Sequence, residues 1–74
     1  MAVEVELFGQ LATHRPRRQA YVVTRPTTVR EVAAALGVAE EDVGLVTIDG
    51  IQSEFEDPVP PDGRLCLFPF MTGG

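Results

Sequence analysis

The sequence closes on Gly73-Gly74, and at an average glycine usage of about 7% a chain ends in such a pair roughly once in two hundred times. Two residues without a β-carbon adopt nearly any backbone conformation, so they can thread a narrow enzyme channel and bring a carboxylate to a buried nucleotide. The chemistry that suits this is acyl activation of the Gly74 backbone carboxylate. A frayed terminus is the plainer reading of the same residues. What sets this pair apart is its position, because an apolar segment ending at Phe70 delivers the chain outward with only four residues left before the carboxylate.

The side chains offer little competing chemistry. Cys66 is the only cysteine, which excludes an internal disulfide and a thiolate cluster for zinc or iron-sulfur. As a nucleophile its one possible helper is His14, and nothing in the sequence brings the two together; a thiol on a sheet is the better reading. Consecutive carboxylates at Glu40-Glu41-Asp42 point in different directions and lack the spaced ligands of a calcium loop, so no metal site is expected. Arg15, Arg17 and Arg18 form the one basic cluster, but a net charge of −5 argues against nucleic acid, and a solvated hairpin loop accounts for them. All 6 cations are arginine. Without lysine the chain has no side-chain amine to accept an isopeptide bond; it could donate its C-terminus but not build lysine-linked chains.

The elements that must position this tail are few, since 74 residues make one domain near the lower limit for a single unstapled core. Residues 2–8 alternate Val3, Val5 and Leu7 with Glu4 and Glu6, the period of a half-buried strand. Residues 19–24 are rich in β-formers and give a second strand whose inward phase is open. Thr28-Val29-Arg30-Glu31 is a capping box, and Val29, Val32, Ala33 and Leu36 make one apolar stripe of a helix ending near Leu36, with Gly37 at the usual left-handed position. Residues 39–42 allow a single turn. Residues 45–48 are a third strand, Asp49-Gly50 a hairpin turn, and residues 51–59 hold at most a short edge strand. Pro61-Asp62-Gly63 is a turn, and residues 64–70 are the last strand. The reading is α+β: a mixed sheet of four to five strands with one main helix on one face, the last strand entering beside the first. Residues 1–70 form the domain and residues 71–74 a flexible tail. No apolar run is long enough to span a bilayer, and the start lacks the pattern of a signal peptide, so no membrane association and a cytoplasmic location are expected.

The helix start Thr28-Val29-Arg30-Glu31-Val32, Val46-Thr47-Ile48-Asp49-Gly50, Asp62-Gly63 and Leu65-Cys66-Leu67-Phe68-Pro69 before Gly73-Gly74 resemble the ubiquitin-like β-grasp sulfur carriers, namely the molybdopterin-synthase small subunit and the thiamine-pathway carrier. The likeness runs over nearly the whole chain. It implies a β-grasp roll and a non-enzymatic carrier that binds no cofactor itself. An ATP-dependent activating enzyme would adenylate Gly74, with Gly73 beside it in the channel, and a persulfide donor would convert the carboxylate to a thiocarboxylate. An acceptor such as the molybdopterin-synthase large subunit would then consume the sulfur. Leu67-Phe68-Pro69 looks more like the molybdopterin or tungstopterin branch than the thiamine branch. Two positions depart from the pattern: Phe70 stands where a second proline is usual, and Arg64 where an acidic residue commonly follows the Asp-Gly turn.

Alternation in the last strand puts Leu65 and Leu67 on one face and Cys66, Phe68 and Phe70 on the other. With the helix on the Leu65 face, Phe68 and Phe70, with Thr47 and Phe8, make an exposed patch suited to a partner, continued by Met71 and Thr72 of the tail. Three function classes stay open: a sulfur carrier feeding a cofactor pathway, a protein modifier or tRNA-thiolation carrier using the same activated tail, and a plain interaction module.

Overall fold

Val3, Val5 and Leu7 occupy alternate positions of β1 (Ala2–Leu7), and all three are fully buried. In the computed structural model, which describes residues 1–70, that strand is followed by a 3-10 turn (Gly9–Ala12), β2 (Arg18–Val22), α1 (Val29–Ala35), a second 3-10 turn (Glu40–Asp42), β3 (Val43–Ile48), β4 (Ile51–Ser53) and β5 (Arg64–Pro69). The five strands form one sheet in the order β2-β1-β5-β3-β4. β5 lies at its centre, parallel to β1 with Leu7 opposite Leu67, and antiparallel to β3 with Val46 opposite Leu67. The expected β-grasp architecture is the one observed.

The helix starts where local chemistry dictates. Glu31 N–H donates to Thr28 Oγ1 at 3.3 Å, and Thr28 N–H donates to Glu31 Oε1 at 3.4 Å, so each end of the capping box satisfies a backbone donor of the first turn. Two more helix N–H groups reach the loop before β5, Val29 to Asp57 O at 3.0 Å and Arg30 to Phe55 O at 3.0 Å. Leu36 is the C-cap and Gly37 has φ +76. Val29, Val32 and Ala33 then bury their stripe against Val3, Val5, Leu7, Leu65, Leu67 and Val46, with Leu11, Val38 and Val59 closing the ends of the core.

The phase of β2 is resolved by its pairing with β1: Gln19 and Tyr21 are half-buried and Arg18, Ala20 and Val22 are exposed. β3 begins at Val43, two residues before the expected 45, because the ladder with β5 continues through a register shift between Val43 and Leu45. One expectation is corrected. Arg15 is not part of a solvated basic loop: its guanidinium donates to Leu36 O at 3.2 Å, Gly37 O at 2.5 Å and Leu11 O at 3.2 Å. It satisfies the carbonyls left over at the end of α1 and ties the loop between β1 and β2 to the helix. No helix among the described residues is long and apolar enough to cross a membrane.

Candidate functional site

Among the described residues α1 packs on the face of the sheet that carries Val3, Val5, Leu65 and Leu67, and the opposite face holds the candidate site. Strand alternation places there Glu4 and Glu6 from β1, with Phe8 just beyond its end, Arg64, Cys66 and Phe68 from β5, and Leu45 and Thr47 from β3. This face divides into an aromatic end, where β5 leaves the sheet, and a charged middle.

At the aromatic end Phe8 and Phe68 stack with ring centroids 4.4 Å apart and planes 11° from parallel. Phe8 N–H donates to Leu67 O at 3.1 Å, which holds the end of β1 against β5. Phe8, Gly9, Gly44, Leu45, Phe68, Pro69 and Phe70 line an open, mostly apolar cleft of about 400 Å³. Phe70 is 55% exposed at its edge. Two glycines shape this exit. Gly9, at φ +56, faces Pro69 so closely that a β-carbon there would lie 2.8 Å from the proline ring. A β-carbon on Gly44 would meet the Phe70 Cα at 2.9 Å and Pro69 O at 3.0 Å. The last described residues of β5 therefore pass between two positions that tolerate no side chain. Phe70 N–H adds a long bond of 3.4 Å to Asp42 O.

Sequence reasoning placed Phe8, Phe68 and Phe70 together, and the structure does the same. Phe68 is half-buried by its stack on Phe8, so the patch is partly covered from within. Thr47 shares the face but not the cleft: it is paired with Cys66, one step inward, and Leu45 takes the place beside Phe68. Leu45, Gly9 and Gly44 were missed because their role depends on the β3 register shift and on contacts distant in sequence. Met71, Thr72, Gly73 and Gly74 lie outside the described residues.

The charged middle was also missed. Glu6 is a carboxylate on a strand yet only 5% exposed, paired with Arg64 and, at 3.5 Å, with Arg18 Nε. The hydrogen bond from Arg64, with the nearby charge of Arg18, holds the Glu6 carboxyl below its ordinary range against the opposing effect of burial. Arg64, the departure noted at the Asp-Gly turn, is thus the counter-charge of Glu6, and its backbone is fixed by Asp49, whose Oδ1 accepts from Arg64 N–H at 2.9 Å. Cys66 is Glu6's partner in register and is buried. His14 is exposed in the loop before β2, with φ 64. Among the described residues no group of three or more His, Cys, Asp or Glu side chains is placed to hold a metal ion.

No protein-family model and no curated protein matches the chain. Solved structures do. The crystal structure of SAMP1 from Haloferax volcanii matches with TM-score 0.75 at 21% identity, over 100% of both chains. A crystal structure of H. volcanii small archaeal modifier protein 1 matches with TM-score 0.75 at 21% identity over 95% of this chain and 98% of that one. The solution structure of the H. volcanii HVO 2177 protein matches with TM-score 0.73 at 18% identity over 100% of this chain and 87% of that one. The likeness is one of fold: a ubiquitin-like β-grasp.

Proposed function

We propose that this chain works through the backbone carboxylate of Gly74, as a carrier and co-substrate and not as an enzyme. The observation that carries the reading is the course of β5, the central strand, which leaves the sheet through a gap between Gly9 and Gly44 beside an open aromatic cleft, four residues before Gly73-Gly74. The carboxylate attacks the α-phosphorus of ATP on a partner activating enzyme, releasing pyrophosphate; the outer sulfur of a persulfide then displaces AMP to form an acyl disulfide, and a second thiol of the donor or activating enzyme cleaves its S–S bond, leaving the thiocarboxylate and a disulfide. The cleft lined by Phe8, Leu45, Phe68 and Phe70 docks that enzyme and the acceptor in turn, with Met71 and Thr72 continuing the contact. The chain needs no cofactor of its own, because the nucleotide belongs to the partner. Leu67-Phe68-Pro69 favours an acceptor in molybdopterin or tungstopterin synthesis, such as a synthase large subunit.

A second reading has its own support: two of the similar structures are of a small archaeal modifier protein. In that case an amine of another protein, and not sulfur, takes the activated carboxylate. Both readings share the adenylation of Gly74, and the sulfur-carrier reading adds a transfer that one experiment reads. The chain is incubated with ATP, the activating enzyme and a sulfur donor, and intact mass is read for exchange of one oxygen for sulfur. Deleting Gly74, or adding one residue after it, displaces the carboxylate by up to about 3.6 Å and is expected to abolish the exchange. Exchange at the wild-type rate in the Gly74-deleted chain contradicts the proposal.

A further inference from the structure

An activated carboxylate is captured by whatever strong nucleophile it meets first, and the nearest protein surface is always the carrier's own. On the reading above, that surface matters. Its cations are all arginine, and a guanidinium stays protonated and does not attack acyl groups. Hydroxyls such as Ser53 and the threonines need an adjacent base to act. The exposed His14 imidazole can take an acyl group, but the acyl-imidazole passes it on to water and leaves only the free acid; two groups that would hold the acyl group in a lasting bond remain in the 74-residue chain, the Cys66 thiol and the Met1 α-amine.

The fold deals with each differently. β1 and β5 run parallel, with Glu4 level with Arg64 and Leu7 with Leu67, so Met1 and Phe70 stand at opposite ends of the sheet. Their separation along the strands is nine residue rises, about 30 Å at 3.3 Å each. Residues 71–74, fully extended, span at most about 14 Å. The carboxylate of Gly74 therefore cannot meet the Met1 amine of the same molecule. Cys66 lies within that span, four residues back along β5, but it is only 8% exposed, set between Glu6 and Thr47 in the sheet. Reach excludes one nucleophile and burial the other.

We propose that the chain is an acyl donor that forms no lasting bond with its own activated terminus, so that the carboxylate is kept for another molecule. Between copies of this 74-residue sequence the acceptor amine is that of Met1, which joins Gly74 of one copy to Met1 of the next. The inference rests on the Gly74 reading for its biological meaning, but its chemistry is testable without the activating enzyme. The chain is prepared as its Gly74 thioester and held at mildly alkaline pH at low micromolar concentration while intact mass is followed. Self-capture would form a bond from the attacking nitrogen or sulfur to the Gly74 carbonyl, break the C–S bond of the thioester and release the thiol with the nucleophile's proton. The product is one water lighter than the free acid.

The wild type is expected to give only the hydrolysed acid. Gln10→Lys places an amine on an exposed position next to Gly9 at the exit, within reach of the tail, and is expected to give at least about tenfold more of the lighter product. Arg25→Lys places the same amine beside Met1 at the far end and is expected to behave as wild type. Circular dichroism confirms that both variants fold. A lighter wild-type monomer overturns the inference, and its disappearance in Cys66→Ser would assign the capture to the thiol. Failure of folded Gln10→Lys to cyclise, or cyclisation of Arg25→Lys, overturns the reach argument. A covalent dimer at higher concentration is expected to vanish on N-terminal acetylation, and one that survives it also overturns the inference. Absence of enzymatic activation in cells, by contrast, would count against the Gly74 reading and leave these results standing.

Discussion

Leu67 and Phe68 are neighbours on the central strand and face opposite ways, so the same substitution at each separates core from docking face. Leu67 is fully buried between Leu7 and Val46. Leu67→Glu forfeits the burial of a leucine side chain, about 1.5–3 kcal/mol, and adds the cost of an unpaired buried carboxylate, several kcal/mol more. A domain of 74 residues has a total stability of about 4–11 kcal/mol, so this chain is expected to be unfolded at room temperature. Phe68→Glu loses the stack on Phe8, about 0.5–1.5 kcal/mol, and about 1 kcal/mol of partial burial, while its carboxylate reaches water. The expected cost of about 2 kcal/mol lowers Tm by about 8–16 °C and keeps the fold. Far-UV circular dichroism melts read both, and Leu67→Met, which conserves volume, is expected to cost less than about 1.5 kcal/mol. A folded Leu67→Glu beside an unfolded Phe68→Glu would refute the assignment of faces.

Other perturbations test single contacts. Thr28→Ala removes the acceptor for Glu31 N–H and is expected to cost about 1 kcal/mol, a fall in Tm of about 4–8 °C in a thermal melt. Gly44→Ala forces a methyl against the Phe70 backbone and is expected to cost about 1–3 kcal/mol in denaturant titration, with amide shift changes concentrated at Leu45, Phe68 and Phe70. Because Arg64 and Arg18 depress the Glu6 pKa below its ordinary 4.5, the stability Glu6 contributes is full above that pH and is lost as pH falls through the lower folded value. Glu6→Gln is therefore expected to lower Tm at neutral pH, with the gap to wild type closing in acid; a constant gap from pH 7 to 3 would show that the ion pairs do not matter.

What was legible in the sequence was local. The capping box at Thr28 and Glu31 spans one helical turn, and alternation at Val3, Val5 and Leu7 needs no partner to be seen. The Asp49-Gly50 turn, with φ of 51 and 82, follows from the two residues alone. What was not legible depends on which strand lies beside which. Glu6 and Arg64 are 58 positions apart, and their contact follows from the parallel pairing of β1 with β5. The signal was present in each half: a glutamate on a strand with buried neighbours, and an arginine at a position of the resemblance where an acid is usual. Arg15 looked like a third member of a basic cluster because its true partners, Leu36 O and Gly37 O, lie 21 and 22 residues away. Gly9 and Gly44 are small for the sake of Pro69 and Phe70, which come close only once the sheet is complete. For the aromatic patch, strand periodicity was enough to group Phe8 with Phe68 but could not foresee that the register shift after Val43 would bring Leu45, and not Thr47, into the cleft.

The central claim is that Gly74 is the working group and that sulfur is what it carries. The most direct measurement is the intact mass of the untagged chain purified from its own cells under conditions that exclude reduction and alkylation of thiocarboxylates. A carrier is expected to show a population in which one oxygen has been replaced by sulfur, mapped by fragmentation to Gly74. Adducts of Gly74 on lysines of other proteins, with no sulfur-bearing form, would move the assignment to protein modification. A single unmodified mass, with neither sulfur nor adducts under any growth condition that expresses the chain, would contradict the account.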